Sequence, residues 1–216
     1  MKQHKFSRAV LWFTKITGLP IYFLLRYKLF FEGDNKKLRH SPSPSIIMSN
    51  HKSLLDFPLY LSIFYSKTLH FLMAEVLFEK NPFLNWLLFK LGGIRVDRNA
   101  FDFSFVGEAL EILDRGGIVG VFPEGRLPVK GTVLPFKPGI VYIALRTNAP
   151  IVPIYTDGCY GLFKRAKVII GESISLHDYC KTENPSNEEI DQLTRLLKDK
   201  IDSLREELER KDAQKK

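Results

Sequence analysis

Residues 45–56 read Ser-Ile-Ile-Met-Ser-Asn-His-Lys-Ser-Leu-Leu-Asp, an apolar run that breaks into polar residues and then becomes apolar again. The apolar run predicts a buried β-strand at 45–48, and the apolar-rich segment 54–65 predicts a helix. A strand followed directly by a helix is the repeating unit of α/β proteins. His51 and Asp56 fall at this junction, and the strand ends of an α/β sheet are where such folds place their functional groups.

The rest of the chain repeats this alternation. Further strands are predicted at 69–73, 94–96, 118–122, 151–155 and 167–170, and further helices at 82–91, 103–114, 139–146 and 186–211. This pattern predicts a single α/β domain over 45–216 with a mostly parallel sheet flanked by helices. The last strands are close together in the sequence, so a mixed edge is expected. The amphipathic stripe of the last helix is expected to pack back on the sheet, although it could also pair with a second chain.

The first 40 residues carry most of the excess positive charge. They contain nine Lys or Arg and two acidic residues, a net of +7 within a chain total of +8. Leu, Phe, Trp and Tyr are interleaved with these cations, which argues against a nucleic-acid-binding arm. Lys15, Gly18 and Pro20 interrupt the apolar stretch, and no small-residue cleavage site follows it, so neither a membrane span nor a signal peptide is predicted.

We therefore expect residues 1–34 to form short basic, aromatic helices that contact anionic lipids on the cytoplasmic face of a membrane. The alternative is that these helices only pack on the domain.

The chain has two cysteines, Cys159 and Cys180, without metal-site spacing or a paired framework, which suits a reducing compartment.

The turn after the first predicted strand has the residue types of a general base. A histidine that is oriented by a carboxylate can take a proton, and the carboxylate stabilises the imidazolium that forms. His51 and Asp56 fit these roles, and the short polar side chains of Asn50 and Ser53 would fix the turn. The competing interpretation is a surface histidine near the start of a helix.

The sequence lacks the motifs that would give this base a partner nucleophile on the protein. It contains no G-x-S-x-G elbow, and neither cysteine lies in a recognisable catalytic motif. Phosphate-binding loops, dinucleotide fingerprints and zinc-site spacings are also missing. We therefore predict that His51 activates a substrate hydroxyl, which attacks an activated acyl group without a metal or bound cofactor.

A second turn follows the strand at 118–122 and reads Phe-Pro-Glu-Gly-Arg over 122–126. Gly125 would admit a ligand close to backbone N–H groups, and Arg126 and Lys137 are cations suited to phosphate. Arg98, at another strand end, is a further candidate. The alternatives are an ordinary charged turn and, for Arg98, an ion pair with a neighbouring aspartate.

Four ordered blocks of this sequence resemble the glycerolipid acyltransferases of the 1-acylglycerol-3-phosphate acyltransferase type. The blocks are Asn-His-Lys-Ser-Leu-Leu-Asp at 50–56, Gly-Ile-Arg-Val-Asp-Arg at 93–98, Phe-Pro-Glu-Gly at 122–125, and Phe-Lys-Pro-Gly at 136–139 with Ala-Pro-Ile-Val-Pro-Ile-Tyr at 149–155. In that family the third block usually continues Thr-Arg-Ser. Here it continues Arg-Leu-Pro, so the cation stands one residue early and the acceptor head group stays open.

The resemblance implies catalysis by His51 and Asp56, with Asn50 and Ser53 in support. It implies acceptor binding at Arg98, Glu124, Gly125, Arg126 and Lys137, with acyl-CoA or acyl carrier protein as the acyl donor and lysophosphatidate as the acceptor. Alternatives are an acyltransferase acting on another lysophospholipid or lyso-aminolipid, and a non-catalytic lipid-binding module at the membrane. The Phe-rich segment 69–91 could line an acyl path or simply fill the core.

Overall fold

The computed structural model describes residues 6–17, 26–97, 104–129, 134–161, 164–180, 182 and 185–214. Its strands are β1 Tyr27–Phe31, β2 Ser45–Ser49, β3 Leu69–Ala74, β4 Gly93–Val96, β5 Ile118–Val121, β6 Ile151–Thr156 and β7 Ala166–Ile170. Its helices are α1 Arg8–Thr17, α2 Asp56–Ile63, α3 Glu75–Glu79, α4 Pro82–Lys90, α5 Ser104–Asp114, α6 Gly139–Leu145 and α7 Asn187–Ala213.

The seven described strands form one sheet in the order β1-β7-β6-β2-β5-β3-β4. Strands β6, β2, β5, β3 and β4 are mutually parallel. Strand β7 is antiparallel to β6, and β1 is parallel to β7. The predicted α/β sheet with a mixed edge is confirmed. Strand β2, which is followed by His51, lies at the centre of the sheet.

Alternate residues of the central strand face two different apolar layers. Ile46 and Met48 pack in a core with residues of α5, α6 and α7, whereas Ile47 packs in a second core with residues of α1 to α4. This is the period-two alternation that a strand covered on both faces requires. Helices therefore flank both faces of the sheet.

The last helix follows its sequence pattern closely. Ser186 and Glu189 form a capping box, and the apolar stripe is buried against the sheet. Leu197 and Ile201 join the core beneath α5 and α6, and Leu204 packs against Ile169 at the β1–β7 edge. The prediction that this helix packs back on the domain is confirmed.

The N-terminal segment differs from its prediction. Arg8–Thr17 is helical, but Tyr27–Phe31 forms an edge strand, so the expected helical character of 1–34 is wrong there and the sheet begins before residue 45. Aromatic residues favour strands, and the segment supplies the hydrogen-bonding partner that the outer edge of β7 needs. Residues 18–25, which complete the predicted helices, lie outside the described residues.

Lys15 has a structural role that its sequence position does not suggest. Its side chain is buried, and its Nζ donates to the carbonyl oxygens of Tyr65 at 2.6 Å and Lys67 at 2.7 Å. Burial lowers the pKa of Lys15 to about 8. This contact ties α1 to the end of α2 and leaves Trp12, Phe13 and Ile16 exposed at 45%, 67% and 56%.

Candidate active site

The turn between β2 and α2 brings together the predicted histidine and carboxylate. His51 Nδ1 lies 2.9 Å from Asp56 Oδ2, and the Asp56 side chain is fully buried. The same Oδ2 accepts the backbone N–H groups of Lys52 at 2.7 Å and Ser53 at 2.9 Å. A carboxylate offers only acceptors, so Nδ1 of His51 carries the proton and Nε2 is the ring's basic nitrogen.

Asn50 and Ser53 fix the shape of this turn. Asn50 is buried, and its side-chain amide exchanges two hydrogen bonds with the backbone of Thr156, both at 2.9 Å. These bonds join the ends of β2 and β6. Ser53 Oγ accepts the N–H of Leu55 at 3.1 Å, which closes the turn into α2.

The turn after β5 packs directly on His51. The Phe122 ring stacks on the His51 ring at 4.2 Å between centroids, with an interplanar angle of 16°. Glu124 Oε1 accepts the His51 N–H at 3.3 Å. Burial raises the pKa of the Glu124 carboxyl above its ordinary value, and the His51 hydrogen bond and the charge of Lys52 oppose this.

Gly125 adopts the left-handed backbone conformation in this turn, with φ of 66°. Its N–H donates to the carbonyl of Phe122 at 2.9 Å. An added Cβ would lie 3.2 Å from Cδ of Lys137, so a side chain here would be strained and would crowd that lysine. Glycine thus keeps the turn tight and the Lys137 stem close to it.

His51 lines a mostly apolar cavity of about 610 Å³. Phe71, Leu77, Leu84 and Leu88 line its apolar part, while Gly125 and Lys137 lie on the same wall as the β5 turn. Cavities of this size and character suit ligands with a long apolar portion and a small polar end. The arrangement can present a lipid hydroxyl to the base.

A family model described as acyltransferase matches residues 31–157, more than half of the chain. The chain belongs to the acyltransferase family.

Named relatives of this acyltransferase include bacterial and plant proteins. It is 29% identical to a Bacillus subtilis 1-acyl-sn-glycerol-3-phosphate acyltransferase over 81% of the chain and 88% of the relative. It is 32% identical to a chloroplastic 1-acyl-sn-glycerol-3-phosphate acyltransferase of Brassica napus over 60% of the chain, but the match spans only 38% of that protein. The crystal structure of the Thermotoga maritima 1-acyl-sn-glycerophosphate acyltransferase PlsC superimposes with a TM-score of 0.67 and 26% identity, covering 92% of the chain and 79% of that protein.

The structure brings together some of the acyltransferase's predicted acceptor-binding residues and not others. Glu124, Gly125 and Lys137 converge beside His51. Arg126 is exposed and is not among the described residues that line the cavity. Arg98 lies outside the described residues.

Sequence reasoning missed three contributors to the acyltransferase site. Tyr160 donates its hydroxyl to Asp56 Oδ1 from 104 residues away, and no local motif marks it. Phe122 lies in a predicted block, but its stacking on His51 depends on how β2 and β5 pair. Lys80, after α3, lines the cavity as a second cation.

Proposed function

We propose that this acyltransferase moves a fatty acyl group from a thioester to the free hydroxyl of lysophosphatidate, making phosphatidate for phospholipid biosynthesis. One observation carries the proposal: the His51–Asp56 pair opens directly on an apolar cavity that also has Lys137 on its wall. The substrate named for the Bacillus, Brassica and Thermotoga relatives supports the choice of acceptor.

The mechanism follows from the tautomer of His51. Its Nε2 takes the proton of the lipid hydroxyl, and the oxygen attacks the thioester carbonyl carbon. The tetrahedral intermediate collapses as the C–S bond breaks, and the imidazolium returns the proton to the departing thiolate. Asp56 stabilises the imidazolium between these steps. General base catalysis of this kind contributes about 10²–10⁴-fold.

The lining of the cavity supports direct attack by the substrate. Among the described residues that line it there is no serine, threonine or cysteine. Cys180 is buried in the core, and Cys159 is exposed on the β6–β7 loop. The reaction as written balances with the lipid and the thioester alone, so we propose that no further cofactor takes part.

We propose that the phosphate of the acceptor binds near Lys137, with Gly125 giving it room to approach the backbone. Lys80 adds a second positive charge to the cavity wall, and cations of this kind attract phosphate as point charges. Glu124, beside Gly125, and Arg98 complete the proposed acceptor site, whereas the exposed Arg126 lies outside the cavity lining and is left out of it.

An acceptor series tests the proposed function. Purified protein receives labelled acyl-CoA or acylated carrier protein together with lysophosphatidate, lysophosphatidylethanolamine, lysophosphatidylcholine or monoacylglycerol. We expect the highest kcat/KM with lysophosphatidate because its phosphate monoester carries the most negative charge. Preference for any other acceptor in the series would contradict the proposal, and comparison of the two thioesters identifies the donor.

We further propose that the protein binds the cytoplasmic face of a membrane through α1. Among the described residues no helix has both the length and the hydropathy needed to cross a bilayer. The exposed face of α1 carries Trp12, Phe13 and Ile16, and Arg8 is exposed at its start. An apolar face with nearby cations suits a helix lying in the interface of anionic lipids.

Replacing Trp12, Phe13 and Ile16 together by serine tests the membrane proposal. Each buried apolar side chain contributes about 1.5–3 kcal/mol, so we expect at least about 10-fold weaker binding to vesicles with anionic lipids in a sedimentation assay. Tyr179→Ser, which removes an equally exposed aromatic residue elsewhere, is the matched control. Unchanged binding of the triple variant would refute the assignment of α1.

A further inference from the structure

We propose that Tyr160 is a positioning residue for catalysis, because its hydroxyl holds Asp56 in the geometry that aligns His51 and limits the negative charge that the carboxylate presents to the ring. The inference rests on the proposed acyl transfer for its kinetic consequences. Its structural basis is the hydrogen bond from the Tyr160 hydroxyl to Asp56 Oδ1.

The hydrogen-bond donors to the two carboxylate oxygens of Asp56 come from different parts of the chain. All three donors to Oδ2 come from the β2–α2 turn, namely the ring of His51 and the N–H groups of Lys52 and Ser53. The donor to Oδ1 comes from the loop between β6 and β7. Asp56 is fully buried, so loss of Tyr160 leaves an ionised oxygen without that donor in a site closed to bulk water.

The backbone of the β6–β7 loop places the Tyr160 hydroxyl beside Asp56. Gly158 has φ of 67°, and a Cβ there would lie 2.4 Å from the Cβ of Lys52, so only glycine lets the loop cross the catalytic turn this closely. Asp157 also fixes the loop. Its Oδ1 accepts the N–H of Cys159 within the loop at 3.0 Å and the N–H of Lys167 on β7 at 2.9 Å.

Tyr160 stays a donor throughout the working pH range. Burial, followed by the negative charge of Asp56, raises the pKa of its hydroxyl well above the ordinary value. A protonated phenol that donates to a carboxylate withdraws charge from it, and hydrogen bonds to charged groups are among the stronger ones.

The charge on Asp56 determines how readily the neighbouring ring accepts a proton. Removing the Tyr160 donor concentrates charge on the carboxylate, which favours the imidazolium and keeps the base protonated to higher pH. The other titratable groups that face the pair are Lys52 on the same turn, Glu124 after β5 and Tyr60 on α2. All three remain in place when only the Tyr160 hydroxyl is removed.

The test is Tyr160→Phe, which removes one oxygen and keeps the ring. We expect kcat to fall about 10-fold, because a charged acceptor loses a hydrogen bond, with a smaller change in KM. We also expect the acid limb of the kcat/KM profile to move to higher pH. Tyr155→Phe, which removes a half-buried hydroxyl from β6 without touching Asp56, should change neither quantity.

A second variant separates loop position from the hydroxyl itself. Gly158→Ala keeps Tyr160 but pushes the loop away from Lys52, and we expect the pH profile to shift in the same direction. Circular dichroism and thermal unfolding show that each variant is folded before its kinetics are compared. An unchanged acid limb in folded Tyr160→Phe would overturn the proposal, since a purely structural contact alters stability without altering that limb.

The low-field ¹H NMR signal of the His51 Nδ1 proton, assigned by its loss in His51→Ala, gives a readout that does not depend on the substrate. We expect Tyr160→Phe, but not Tyr155→Phe, to move this signal. If the wild type prefers another lysophospholipid, the proposed function fails while the signal still tests Tyr160. If lysophosphatidate is used but the signal and the pH profile stay fixed, only the positioning role fails.

Discussion

Replacing His51 by alanine lowers turnover by at least about 10²-fold, because the lipid hydroxyl loses the base that takes its proton. The ring lies on Phe122 and is largely buried, but it is one of four donors to Asp56 among the described residues, so the turn keeps its two backbone donors and Tyr160. The protein is therefore expected to fold. The measurement is single-turnover transfer of a labelled acyl group to lysophosphatidate.

His40→Ala is the matched control for this experiment. His40 is exposed after a short 3₁₀-helix and does not line the cavity, so wild-type turnover is expected. Circular dichroism verifies that both variants keep their helix content. Turnover within a few-fold of wild type in a folded His51→Ala protein would remove this residue from the chemistry.

Replacing Asp56 by asparagine is expected to cost at least about 10²-fold in turnover, because a neutral amide does not stabilise the imidazolium as a carboxylate does. The substitution preserves shape. Its amide oxygen can keep the three donors at the Oδ2 position, and its NH₂ can donate to the hydroxyl oxygen of Tyr160. The lost activity then reports charge rather than a collapsed turn.

The double variant His51→Ala/Asp56→Asn extends this prediction. Residues that act as a unit give non-additive losses, so we expect the double variant to be nearly as active as His51→Ala alone. Matched kcat values for the three variants provide the measurement. Fully multiplicative losses would mean that Asp56 acts through a route other than the His51 ring.

The local sequence pattern was enough to predict most of the fold and the His51–Asp56 pair of the active site. Strand β2 is short and wholly buried, with three apolar residues between two serines, and its central position follows from burial on both faces. The spacing of His51 and Asp56 across a strand-to-helix junction is itself local. Their contact, 2.9 Å in the structure, could therefore be predicted without knowing which distant residues lie nearby.

Long-range contacts explain what the sequence did not reveal. The aromatic run of β1 has no period that separates strand from helix, and only its pairing with β7 decides between them. Lys15 interrupts an apolar stretch of the sequence, and its ammonium donates to two carbonyl groups about fifty residues away. Tyr160 reaches Asp56 only because β6 lies next to β2 and Gly158 allows the loop to cross.

In the proposed mechanism the lipid hydroxyl, activated by His51, attacks the thioester directly. Intact-protein mass spectrometry tests it most directly, on wild-type enzyme quenched at intervals during a single turnover of labelled acyl thioester with lysophosphatidate. We expect the label to appear in phosphatidate while the protein mass stays that of the free chain throughout. A protein species that is heavier by one acyl group, and that decays as phosphatidate forms, would contradict it.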